Sequence, residues 1–182
     1  WVSQRGTFAF PLAGLLLAAC ALRYGADGLK LWLMMAVVTG LADFTGDRLK
    51  HLTHEPRPCY ALAQQVRTPG YDQPHPCGSN LEAMPSNHAA NFFAAAVFLA
   101  YVLRRRWVTA GLLLIAVTVS LSRIYMGKHY PSQVAAGAAL GSAIAFAAAW
   151  TGVKYMPFIQ RIRALAHERP AAPGYAGRPR RD

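Results

Sequence analysis

The sequence predicts an all-α, polytopic membrane bundle of about five transmembrane helices, and three observations predict it. Hydrophobic residues make up 54% of the 182-residue chain and charged residues only 15%, against roughly 25% charged in an ordinary soluble domain. Apolar stretches near the ~20 residues that an α-helix needs to cross the hydrocarbon layer recur along the chain. Segments such as AAAVFLAYVL, AGLLLIAVTVSL and AAGAALGSAIAFAAAW lack the polar stripe of a surface helix. A soluble protein with buried core helices is the alternative, because shorter apolar runs are often that. The absence of a polar face favours the membrane.

The elements follow in order. Residues 8–22 form the first stretch, closed by Arg23, and residues 29–49 the second, with Asp43, Asp47 and Arg48 near its end. Residues 84–103 are the third, 107–121 the fourth and 130–150 the fifth, the first and fourth being somewhat short. Small residues in the fifth (Gly137, Ala138, Gly141, Ser142, Ala145) recur at helical steps that permit close helix packing. Trp32, Trp107 and Trp150 near helix ends read as interfacial anchors. Residues 1–155 are read as one transmembrane domain with an outer loop over 51–83. Residues 156–182 are read as a basic interfacial segment followed by a Pro-, Gly- and Arg-rich tail expected to be disordered. The sequence starts at Trp1 rather than at methionine, so residues are expected upstream, and the first apolar stretch is expected to direct insertion without a cleavable leader.

A formal charge of +11 taken alone suggests nucleic acid, but the placement of the charges decides otherwise. Five crossings put Arg23, Lys30, Arg104, Arg105, Arg106, Lys154, Arg161, Arg163, Arg169, Arg178, Arg180 and Arg181 on one side. Arg5, Arg48, Lys50, Arg57, Arg67, Arg123 and Lys128 fall on the other. The positive-inside rule makes the first side, with the C-terminus, cytoplasmic. Membrane lipids are then the partners and nucleic acid is not. Cys20 sits inside an apolar helix and reads as packing. Cys59 and Cys77 bracket a loop on the outer side, where a disulfide is permitted, with two free thiols as the alternative.

Polar residues gather in three clusters at helix ends on that outer side. KHLTHEPRP carries Lys50 and Arg57, MPSNHA carries Ser86 and His88, and SRIYMGKHYPSQ carries Ser122, Arg123 and His129. Two guanidinium forks and one ammonium can hold phosphate oxygens. Ser86 and the N–H groups opening the third helix add donors where the helix dipole favours an anion. A neutral imidazole can attack phosphorus while a second imidazolium protonates the leaving oxygen. Taken singly, each residue has an ordinary explanation: interfacial anchor, helix N-cap, snorkelling charge. His51, His54 and His75 with Cys59 and Cys77 are too irregularly spaced for a zinc site and read as loop residues. Glu55 and Lys128 flank the clusters and read equally as substrate-tuning or as surface residues.

The blocks KHLTHEPRP, PSNH and SRIYMGKH, in that order, resemble the three motifs of the type-2 phosphatidic acid phosphatase superfamily, which includes vanadium-dependent haloperoxidases. The resemblance covers about residues 28–150, and five crossings in a short chain look most like its bacterial undecaprenyl-diphosphate phosphatase branch. It implies His129 as the nucleophile that forms a phosphohistidine and His88 as the general acid that later activates water. It implies that Lys50, Arg57, Ser86, Asn87 (through its backbone) and Arg123 bind the phosphoryl group, with no metal or other cofactor. The family's acid four residues after the nucleophile is replaced by Gln133, whose carbonyl can accept the Nδ1 hydrogen but carries no charge. Asp43 and Asp47 are substitute orienting acids, although pairing with Arg48, Lys50 or Arg123 is the commoner use of such residues.

The resulting expectation is an integral membrane phosphatase acting on a lipid phosphate or diphosphate, undecaprenyl diphosphate first, at the outer face of a bacterial inner membrane. A phosphotransferase between lipids and, because of Gln133, a catalytically weakened lipid-phosphate-binding protein are the alternatives. The oligomeric state is not legible.

Overall fold

The structure, a computed structural model, describes residues 10–66 and 81–167, and every regular element among them is helical. Helix α1 (Phe10–Thr53) contains the described part of the first apolar stretch and all of the second. They are separated at Gly25, which adopts φ 57° and ψ −135°, a left-handed conformation that glycine tolerates because it has no Cβ. The chain reverses there. The Trp32 indole N–H donates to the Ala13 carbonyl over 3.0 Å, and a Cβ on Gly28 would run into the Cys20 carbonyl. In a straight helix those pairs would stand ~28 Å and ~12 Å apart. The gap between the two apolar stretches thus reduces to a reversal at one glycine, with helix on both sides of it.

A short helix α2 (Pro58–Ala61) leads into the outer loop, followed by α3 (Asn87–Leu103), α4 (Arg106–Tyr125), α5 (Pro131–Tyr155) and α6 (Pro157–His167). Helix α3 opens at Asn87, later than its apolar run, because Ser86 is extended at φ −74°, ψ 109° and the residue before Pro85 is kept out of helical geometry. Helix α4 outlasts its apolar run: Ser122 and Arg123 end the hydrophobic pattern but not the helix. The stretch Phe10–Ala61, α4 and α5 are each long and apolar enough to cross a membrane, and Asn87–Leu103 is a shorter apolar helix. With α1 folded at Gly25, the chain supplies five apolar rods. Their outward side chains are apolar, Leu22, Val37 and Leu114 being 90%, 70% and 67% exposed. Such a surface belongs against lipid tails rather than water, and the chain is a multi-pass membrane protein.

Helix α3 runs through the middle, packed against α1, α4, α5 and α6. Its Ala90, Ala94, Phe98 and Val102 share a core with Leu31, Met35 and Val38 of α1, Ala145 and Ala149 of α5, and Ile159 and Ile162 of α6. Gly137, Gly141, Ala145 and Ala149, one every fourth residue, form the buried stripe of α5. A Cβ on Gly137 would meet the Ser86 carbonyl, and one on Gly141 the Ala90 carbonyl, so backbone touches backbone along this seam. Helix α6 is amphipathic and docks by Ile159, Ile162 and Ala166. Arg161 on its outer side grips the Asp27 carboxylate with two N–H donors, at 2.8 and 3.0 Å. Cys20 is buried and unbonded. The tail beyond residue 167 lies outside the described residues.

Candidate active site

The second limb of α1 ends, α3 and α5 begin, and α4 finishes at one end of the bundle. Hydrogen bonds from loop backbone knit these termini. Thr53 Oγ1 donates to the Met84 carbonyl over 2.8 Å. The Ala83 N–H donates to the Glu55 carbonyl over 3.1 Å, the Ser86 N–H to the Gln133 carbonyl over 3.0 Å, and the Cys59 N–H to the Gly127 carbonyl over 2.9 Å. The three polar clusters, far apart in sequence, therefore share one end. Gly127, at φ 64° and hard against the Val66 side chain, makes the tight turn that carries the chain from Arg123 to His129.

His129 is only 5% exposed, and its Nδ1 lies 2.9 Å from the Ala83 carbonyl. A carbonyl can only accept, so the contact assigns the hydrogen to Nδ1 and leaves the Nε2 lone pair available. Burial, reinforced by the positive charges of Arg123 and Arg57, pushes the imidazole down to about 3, while the Ala83 bond and the Gln133 side chain act weakly in the other direction. The ring is neutral at any physiological pH. The Lys128 ammonium is lowered in the same way, first by burial and then by Arg123 and Arg57. Arg57, Arg123 and Lys128 thus lie within each other's fields around the ring, and an added anion would relieve their mutual repulsion.

Donors without partners point the same way. Ser86 caps α3 by position but its side chain makes no cap bond. Among the described residues Ser86 Oγ and Arg57 Nε are buried with no hydrogen-bond partner. Leaving such groups unsatisfied costs roughly 1–3 kcal/mol each, more for a charge, and a phosphoryl group would satisfy both. His88 is half-buried in the first turn of α3, two residues beyond Ser86.

Other expected site residues have further engagements. Lys50 Nζ sits 2.9 Å from the Asp47 carboxylate. Asn87 Nδ2 donates to Asp43 Oδ1 at 3.0 Å and Asp47 Oδ1 at 2.7 Å, and Asn91 Nδ2 to Asp43 Oδ1 at 2.8 Å. The Asn87 side chain is therefore a clamp between α1 and α3, and Asp43 and Asp47 serve that clamp. Gln133, expected to accept from His129 Nδ1, acts on the ring only weakly, and the Nδ1 contact at 2.9 Å is to the Ala83 carbonyl. The Gln133 side-chain carbonyl accepts the Tyr130 N–H at 3.1 Å, and its amide donates to Glu55 Oε2 and the Pro56 carbonyl, each at 3.1 Å. With both ends of that amide engaged, the Ala83 carbonyl takes Nδ1. Cys59 is buried and disulfide-bonded; Cys77, its expected partner, lies outside the described residues, as does His75. His51 is exposed, 3.8 Å from the Glu82 carboxylate. Sequence reasoning missed Ala83, which acts through its backbone and leaves no side-chain signal, and left Glu55 and Lys128 undecided although both flank motif residues.

Comparison with known proteins rests on this geometry. The PAP2 superfamily profile matches residues 28–156. The chain belongs to the PAP2 superfamily. Lipid A 4'-phosphatase from Bacteroides thetaiotaomicron is 47% identical over 57 residues, which cover 31% of this PAP2 chain and 25% of the relative. Dolichyldiphosphatase 1 from Rhinolophus ferrumequinum is 34% identical over 133 residues, covering 64% of the chain and 51% of the relative. The chain thus spans a quarter to about half the length of these curated relatives. The crystal structure of a transmembrane PAP2 type phosphatidylglycerolphosphate phosphatase from Bacillus subtilis superposes with a TM-score of 0.60 at 23% identity, over 86% of this chain and 76% of that one. That likeness establishes the shared fold.

Proposed function

We propose that this PAP2 chain is an integral membrane lipid phosphatase that hydrolyses a lipid phosphate or diphosphate through a phosphohistidine on His129. The observation that carries the reading is the neutral, buried imidazole, its Nδ1–H held by Ala83, set among Arg57, Arg123 and Lys128. In the first step the Nε2 lone pair attacks phosphorus and the bond to the leaving oxygen breaks, with His88 giving that oxygen its proton. In the second, water attacks the phosphorus, His88 takes a proton from it, and the P–N bond breaks to release inorganic phosphate. Arg57, Arg123, Lys128, Lys50, Ser86 and the Asn87 N–H hold the phosphoryl oxygens and oppose the charge that builds on them. The Ala83 dipole, rather than a carboxylate, steadies the phosphorylated ring.

The substrate class follows from the site's position at one end of an apolar bundle, where a headgroup sits while its tail stays in the bilayer. Undecaprenyl diphosphate is the first substrate to test, and the dolichyl diphosphate relative supports a polyprenyl diphosphate. The proposed setting is the outer face of a bacterial inner membrane, with the C-terminus cytoplasmic. Phosphate release from a panel of lipid phosphates by purified protein tests the reading. His129→Ala is expected to lose at least about a thousandfold in rate and His88→Ala about a hundredfold or more; equal rates in the three proteins would remove the assignment.

A further inference from the structure

At the opposite end of the bundle, an open cleft of about 850 Å³ lies between the end of α3, the start of α4 and the side of α6. Arg104, Arg106 and Arg163 line its rim. Among the described residues none of the three is paired with a carboxylate; Arg163 instead lies 5.7 Å over the Tyr101 ring, and Arg106 5.2 Å over Trp107. Val97 and Leu113 line the same cleft, about two helical turns, or ~10 Å, along α3 from Arg104 and along α4 from Arg106 respectively. The first turn of α4 opens at this rim without a side-chain cap, so its N–H groups also favour an anion. The cleft therefore has the polarity profile of one membrane lipid: positive donors at headgroup depth and an apolar wall below them. From that complementarity we infer that it holds an anionic glycerophospholipid of the leaflet opposite the candidate active site, its phosphodiester on the three arginines and an acyl chain along Val97 and Leu113. A diester offers no phosphate monoester to the chemistry proposed at the other end, so this lipid is a resident ligand and not a substrate.

The test uses the full chain, purified and delipidated, and offered phosphatidylglycerol or phosphatidylcholine of the same acyl chains, with bound lipid measured by native mass spectrometry. The expected result is selective retention of phosphatidylglycerol. Joint Arg104→Gln, Arg106→Gln and Arg163→Gln substitution is expected to weaken it on the order of a hundredfold without changing phosphatidylcholine binding. Leu113→Trp keeps every charge but fills the apolar wall, and is expected to weaken it about tenfold, which covers the case of a triple variant that fails to fold. Equal retention of the two lipids, unchanged phosphatidylglycerol binding in Leu113→Trp, or loss of selectivity in Arg57→Gln at the far end would each overturn the inference. So would displacement of the bound lipid by millimolar glycerol phosphate, which would mark a site for the anion alone.

Discussion

The two ends of the bundle both concentrate positive charge, yet they are built differently. Around His129 the cations are drawn in from solvent: Arg123 is 6% exposed, and burial lowers Lys128 as well as the imidazole. The termini there are tied by backbone hydrogen bonds, so side-chain donors are left over for something else. At the other end the arginines are largely in the open, and the ion pairs of Asp27, with Arg161 and Lys30, are on the surface. Charge held out of water, beside the unpaired Arg57 Nε and Ser86 Oγ, favours an anion, whereas the same charge in solvent is screened and mainly sets orientation and lipid contact.

The largest effect expected of this contrast is at the buried end. Arg123→Ala or Arg57→Ala is expected to cut kcat/KM for lipid phosphate hydrolysis about a hundredfold to a thousandfold, whereas Arg104→Ala or Arg105→Ala leaves it within about twofold, as for surface changes generally. Comparable losses at the two ends would erase the distinction. Titration comes next. NMR of ring-labelled histidine should show one signal, absent from His129→Ala, that stays in the neutral Nδ1–H form at pH 4.5, where an imidazole of ordinary pKa would be ~99% protonated. The unfolded chain takes up that proton at about pH 6.5 and the folded chain only near 3, so this residue's contribution to stability is whole above that window and is lost as pH falls through it. A signal titrating near 6.5 would contradict the buried site.

Smaller effects test the frame that carries the site. Gly141→Ala pushes a methyl into the Ala90 carbonyl at the α3–α5 seam and is expected to cost about 1–3 kcal/mol, read as a lowered Tm in detergent, with activity lost in proportion. Asn87→Ala strips the clamp on Asp43 and Asp47 and should cost about 1–3 kcal/mol. Arg161→Gln, at the exposed pair, should leave Tm unchanged within error. A large shift there would mean that α6 is held by charge and not by Ile159 and Ile162.

Much of this was legible beforehand, for identifiable reasons. The apolar rods announce themselves because hydrocarbon demands long uninterrupted stretches, and the small-residue stripe of α5 because close packing demands small side chains at a helical step. The blocks around Lys50, Arg57, Ser86, Arg123 and His129 stood out because several charged and hydroxyl groups next to apolar helices are costly unless they serve something. Gly25 was less visible: a glycine in a helical pattern can be tolerated, capping or reversing, and which it is depends on whether Trp32 finds Ala13.

The one-dimensional pattern determined the helical class, the number of rods and which chemical groups collect at their outer ends, since each depends on composition and periodicity alone. The folded chain decided who holds whom. Gln133 turned to Tyr130, Glu55 and Pro56, Asn87 bridged two helices, and His129 Nδ1 fell to the carbonyl of Ala83. All but the Tyr130 contact depend on distances and directions between segments more than 40 residues apart, and a hydrogen bond obeys them at the scale of tenths of an ångström.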